Sequence, residues 1–174
     1  MSPLHPHRQM DWAYHAPFGW RAALWASIIA GVVFAVLDVG LGWLLRGVSP
    51  WTPLRMIAAI ALGPDVLVPA GTFDAGVALV AIFLHLVLSI IYGAFLALVL
   101  PAVGKSLDIV LGGLYGLALY YINFYGFDAF SPWFAAERGW VSIVSHFVFG
   151  AVLAYAYVTI NAHKLTDRGQ PLAQ

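Results

Sequence analysis

The chain reads as an all-α integral membrane protein: four transmembrane helices form two parallel-repeat hairpins, with a short re-entrant or interfacial helix after the first span. Three observations predict this. Of its 174 residues, 62% are hydrophobic and 9% charged, with a mean hydropathy of +0.87, whereas a soluble domain carries about a quarter charged residues. The apolar residues gather into four runs of the roughly 20 residues needed to cross about 30 Å of hydrocarbon. A Ser-Pro-Trp triplet with an Arg soon after it occurs twice, as SPWTPLR from Ser49 and as SPWFAAER from Ser131.

Residues 1–19 are polar, rich in Pro and His and without helical periodicity, so they read as a flexible tail in which His5, His7 and His15 are solvated. A transmembrane domain over 20–161 follows. Its first span, 22–45, carries one charge, Asp38, and lacks a small-residue cleavage pattern, so it is an uncleaved helix. In RMIAAIALGP the apolar core from Met56 to Leu62 is too short to span. Pro53 and Gly63-Pro64 delimit it as a segment of about 54–63 that lies in the interface or dips into it. The second span, 75–100, has Thr72 or Asp74 placed to cap its amide-rich start. The third, 107–127, has Ser106 as N-cap and Asp108 in its first turn, and the fourth, 140–160, leads to a polar tail over 162–174.

Charge and motifs narrow the function. The formal net charge is zero, which gives no footprint for nucleic acid. The absence of cysteine excludes disulfides, thiolate metal sites and iron–sulfur clusters. No phosphate-cradling glycine loop, HExxH or serine-histidine-acid order occurs, so the chain reads as non-enzymatic, with no catalytic residues. Arg8, Arg21, Lys105, Lys164 and Arg168 fall on the side of the termini, against Arg46, Arg55 and Arg138 on the other. The positive-inside rule then puts both termini in the cytoplasm and both SPW loops outside.

The two halves match as helix, SPW, Arg, then a helix with a central histidine in HLVLS (His85) or HFVFG (His146). That pattern is a parallel duplication about an axis along the membrane normal. In it, Trp51 and Trp133 anchor at headgroup level, and Arg55 and Arg138 stand at the mouth of the bundle to attract anions. Counting 1.5 Å per residue from the outer helix ends, Asp38 and His146 lie about 10 Å deep, His85 about 15 Å and Asn123 about 5 Å. Each belongs to a stripe of small or polar residues that also includes Ser89 and Ser145, the face on which membrane helices approach one another. Those stripes should bring Asp38, His85, Asn123, His146, Ser89 and Ser145 into one interior pocket. An ionised Asp at that depth costs roughly 2.5 to 3.5 kcal/mol, so Asp38 should be protonated or paired, with a histidine as the natural partner. The packing alternative is that these groups only hydrogen-bond across helices. A further alternative is a haem or a divalent metal held between His85 and His146. Gly112 and Gly116 form a GxxxG step that suits contact between two helices of the same chain.

The segments SPWTPLRMIAAIALG, TFDAG, LHLVLSIIYG, GLALYYINFYGFDAFSPWF and ERGWVSIVSHFVFG resemble a family of small bacterial four-helix membrane proteins often labelled "sodium:proline symporter". The resemblance covers about 21–160. More distantly, the order of a His helix, a Gly-rich helix, a Pro-Trp loop and a second His helix is similar to the YagU-like inner-membrane proteins. It implies a multi-pass protein of the bacterial inner membrane and carries no functional residues over to this chain. Sodium-coupled transporters are built from inverted repeats with broken helices at the midplane, which four helices in a parallel duplication do not supply. The expected activity is therefore binding, sensing or permeation of a small solute or proton through an outward-facing Asp/His pocket. The alternative is a structural or accessory subunit, in a homo-oligomer or a larger membrane complex.

Overall fold

The computed structural model describes residues 18–100 and 105–167. Four of its helices are long and apolar enough to cross a membrane, and the chain is a multi-pass, all-α membrane protein. Helix α1 spans Trp20–Arg46, α2 Trp51–Leu62, α3 Ala75–Val99, α4 Lys105–Tyr121 and α5 Trp140–Asp167. A π-helical turn, Ile122–Gly126, continues α4, and 3-10 turns at Pro64–Leu67 and Pro132–Glu137 follow α2 and precede α5. The expected tail over 1–19, with its three histidines, lies outside the described residues except for its last two.

Local chemistry explains the boundaries. Helix α2 starts at Trp51, three residues before the expected segment, because Pro53 falls in its first turn, where a missing amide hydrogen costs nothing. Asp74 caps α3 through Oδ1, which accepts from Val77 N at 2.9 Å, while Thr72 is engaged elsewhere. Helix α4 already includes Lys105, so Ser106 lies within it and is not the N-cap. Gly47 ends α1 in the left-handed conformation (φ 66°), its N–H donating to Gly42 O. Helix α5 differs most from expectation. It continues to Asp167, through residues expected to form a polar tail, because NAHKLTD contains no Gly or Pro to stop it.

Helix α5 is the hub of the packing. It lies against α4 and α1; α1 also packs on α3, and α3 carries α2. Glycine makes the closest of these approaches. A methyl group at Gly116 would strike the His146 carbonyl and one at Gly150 the Gly112 carbonyl, so the GxxxG step of α4 is used within the chain, backbone to backbone against α5. Across α1 and α3, Gly31 makes room for Ser89 and Gly93 for Ser27. The buried stripe Ala22, Ala23, Ala26 and Ala30 joins Leu153 and Ala154 in the core. Leu44, Val36, Leu79, Phe83 and Leu98 are each about two-thirds exposed or more, an outer surface suited to lipid rather than water.

Two equivalent hairpins would bring α3 and α4 as close as α1 and α5. Helices α1 and α5 pack tightly, whereas α3 and α4 stand apart and meet through long side chains: Tyr115 OH donates to Tyr92 O at 2.8 Å and Phe95 stacks on Tyr115. The helix packing therefore departs from the symmetry expected of the duplicated motif. The physical reason is that α4 and α5 contribute backbone-exposing glycines to their contact, while α3 presents Tyr92 and Phe95 toward α4.

Candidate ligand-binding cavity

The gap between α3 and α4 holds a cavity of about 320 Å³. Helix α1 contributes Phe34 and Asp38 to its wall, α3 His85, Ser89 and Tyr92, the end of α4 Asn123 and Phe124, and α5 His146 and Phe149. Helix α2 closes one side with Pro53, Met56, Ile57 and Ile60, and the chain before α5 adds Ser131, Phe134 and Glu137. Five of the six expected pocket residues, Asp38, His85, Asn123, His146 and Ser89, thus line one cavity. The sixth, Ser145, is fully buried beside Asp38 but is not on the lining.

Both histidines have a readable tautomer. His85 Nε2 lies 2.8 Å from Gly31 O, and His146 Nδ1 lies 2.8 Å from Ser142 O. A carbonyl oxygen only accepts, so those nitrogens carry the hydrogen, leaving Nδ1 of His85 and Nε2 of His146 as acceptors. His146 Nε2 is 3.5 Å from Asn123 Nδ2, and Asn123 Oδ1 accepts from Tyr92 OH at 2.7 Å. Tyr92, Asn123 and His146 therefore form one oriented chain across three helices. Asn123 reaches it from the π-helical turn, whose extra residue per turn re-aims the end of α4.

Asp38 is not held by either histidine, contrary to the expected pairing. Its Oδ1 is shielded from solvent and has no hydrogen-bond partner among the described residues. Ser145 Oγ, also buried and unpartnered, faces it close enough to act on it electrostatically but not in hydrogen-bonding geometry. Ser142, the other hydroxyl nearby, donates instead to Glu137 O at 2.8 Å. The charges acting on Asp38 are Glu137 and Arg46, which are paired with each other at 2.6 Å.

The expected mouth residues do other work. Arg55 is buried: Nε and Nη2 donate to Thr72 O and Thr72 Oγ1, both at 2.9 Å, and Nη1 to Val66 O at 2.6 Å. Arg138 donates to Phe124 O at 2.8 Å, pairs with Asp128 and lies over the Tyr125 ring. Trp51 packs against Phe73, and Trp133 Nε1 donates to Met56 O at 2.9 Å. None of the four lines the cavity. A buried guanidinium gathers carbonyls that turns leave without donors, and sequence spacing does not reveal where those carbonyls will be.

Sequence reasoning missed three features. Phe34 packs against both imidazoles, with centroids 5.5 Å from His85 and 4.8 Å from His146; it stands one turn before Asp38, so the i,i+4 rule was the available signal. Glu137 with Arg46 sits at the rim, and nothing in their 91-residue separation announces the pair. The π-helical turn had no sequence signal. As for a metal or haem, the described residues contain no group of three or more His, Cys, Asp or Glu side chains that could hold an ion. Phe34 packs against both rings, and Asn123 Nδ2 stands 3.5 Å from His146 Nε2, the nitrogen whose lone pair such a group would need, so the donor set does not fit a group bridging His85 and His146. Compared with known proteins, the chain matches no protein-family model, no curated protein and no solved structure.

Proposed function

We propose that the chain is a non-enzymatic, small-molecule-binding protein of the bacterial inner membrane, with both termini cytoplasmic and the cavity opening outward beneath α2. The observation that carries this reading is the convergence of Asp38, His85, Asn123 and His146 on one largely apolar cavity of about 320 Å³. Pockets for small ligands have this size and this mixture of greasy wall and few polar groups. Ser89 supports binding over catalysis, since its hydroxyl donates to its own helix at His85 O, 2.8 Å away, and not to an imidazole nitrogen. The excess of basic residues beside the termini supports the orientation. The resemblance to the four-helix bacterial family supports the membrane assignment, and transport of the bound solute is the extension of this reading.

The test uses the full chain in detergent with phenylpropanol, a neutral molecule of suitable size. Binding should raise the thermal midpoint of the wild type, and Ile57→Trp, which fills the cavity from α2, should abolish the shift while keeping the fold. An equal response in Ile57→Trp, or none in the wild type, favours the accessory-subunit alternative.

A further inference from the structure

We infer that the cavity selects a cationic ligand, an amine-bearing molecule with an apolar or aromatic body, whose ammonium group Asp38 receives. The inference deepens the proposed function and rests on the cavity being a binding site.

Charge on the lining points one way. Among the described residues, Asp38 and Glu137 are the charged side chains on it, and no Lys or Arg accompanies them. Glu137 has its counterion, Arg46 Nη1 at 2.6 Å, and Arg46 is further committed to Ala136 O at 3.3 Å. Two carboxylates thus share one guanidinium, and Asp38 is the one left without an ion pair among the described residues. Its Oδ1 is buried and unpartnered among the described residues. Ser145 Oγ is near it, but a hydroxyl supplies a dipole and not the missing positive charge.

The other polar groups on the wall face a ligand mostly as acceptors. The hydrogens of Tyr92 OH, Ser89 OH, His85 Nε2 and His146 Nδ1 are all committed, to Asn123 Oδ1, His85 O, Gly31 O and Ser142 O. Among the described lining residues, the second amide hydrogen of Asn123 and the Ser131 hydroxyl are the side-chain donors that remain. An anion would meet a carboxylate and few donors. An ammonium would meet a carboxylate and the imidazole lone pair of His85 Nδ1, that of His146 Nε2 being engaged by Asn123. Aromatic rings complete the match: Phe34 stands one turn from Asp38 on the same face of α1, and Phe124 and Phe134 also line the cavity. Ring faces attract cations most strongly where water is excluded. A bare sodium ion fits poorly, since a cavity of about 320 Å³ with phenyl walls offers it no oxygen cage.

The experiment compares three molecules of one shape and different charge: phenylpropylamine, phenylpropanol and hydrocinnamate. Each is titrated by calorimetry into the full chain in detergent at neutral pH, with wild type, Asp38→Asn and Ile57→Trp side by side. The amine should bind the wild type about tenfold or more tightly than the alcohol, the range for a charge-assisted hydrogen bond, and hydrocinnamate should bind weakest. Asp38→Asn should erase the preference for the amine, and a cooperative thermal transition in the unliganded variant shows that it is folded. If all three bind equally and Ile57→Trp blocks them, the cavity reading stands and the cationic inference is wrong. An amine preference that survives in Asp38→Asn overturns the cationic inference in the same way. If none binds the wild type, or Ile57→Trp binds as well as the wild type, both readings are overturned.

Discussion

After α1 the chain enters Ser49-Pro50-Trp51 and builds a helix of 12 residues; after α4 it enters Ser131-Pro132-Trp133 and builds a 3-10 turn of six. Each copy starts the same way, with Pro at a position where a helix needs no amide hydrogen. They diverge where tertiary partners take over. Helix α2 buries Met56, Ala58 and Ala59, packing on α3, whereas the second turn runs straight into α5. The arginines diverge too. Arg55 reaches forward to Val66 and Thr72, acceptors that are all neutral, and organises the linker between α2 and α3. Arg138 reaches back to Phe124 at the π-helical turn and has a carboxylate, Asp128, for company. The second copy also docks on the first, through Trp133 and the Met56 carbonyl. A repeated motif here specifies how a segment begins; the nearest unsatisfied carbonyl decides what its arginine does.

This difference predicts a ranking of substitutions. Arg55→Met should be the most damaging, by about 3 kcal/mol, because the buried guanidinium's three hydrogen bonds, to Thr72 O, Thr72 Oγ1 and Val66 O, are lost at once. Denaturation in detergent would measure it, and a loss no larger than that of Arg138→Met would break the comparison. Arg138→Met should cost about 1 to 2 kcal/mol. Its ion pair reaches an exposed carboxylate, and such pairs contribute about 1 kcal/mol at most, with a similar amount from the stacking on Tyr125. Trp133→Phe should cost least, about 1 kcal/mol, since the ring's packing survives and one hydrogen bond is lost. Its signature is local: faster amide exchange in α2, with α5 unchanged. Unchanged exchange in α2 would mean that the indole does not tie the two segments together.

Much of the site was legible because membrane burial makes polar residues conspicuous. Asp38, His85, Asn123 and His146 stood out as polar groups in apolar runs, and the small-residue stripes turned them toward one interior. Phe34 did not stand out, since a phenylalanine in a span has many uses. The partners of the polar groups were not legible either. The expected pairing of Asp38 with a histidine failed because both rings find backbone carbonyls, at Gly31 and Ser142, before they find a carboxylate. Carbonyls carry no signature in a sequence.

Sequence by itself determined the solvent, the number of spans and most of their ends. Hydropathy over about 20 residues and the conformational limits of Gly and Pro are local properties that no distant contact overrides. Even there, α5 ran on past its apolar stretch because helix termination needs a breaker and not merely polarity. Tertiary structure alone decided that α5 is the hub, that α3 and α4 stand apart around a cavity, and that Glu137 takes Arg46 while Asp38 goes without. Those outcomes depend on which backbones glycine allows to touch and on competition among groups up to 91 residues apart. Such competition is settled by distances in the packed bundle, which residue order does not encode locally.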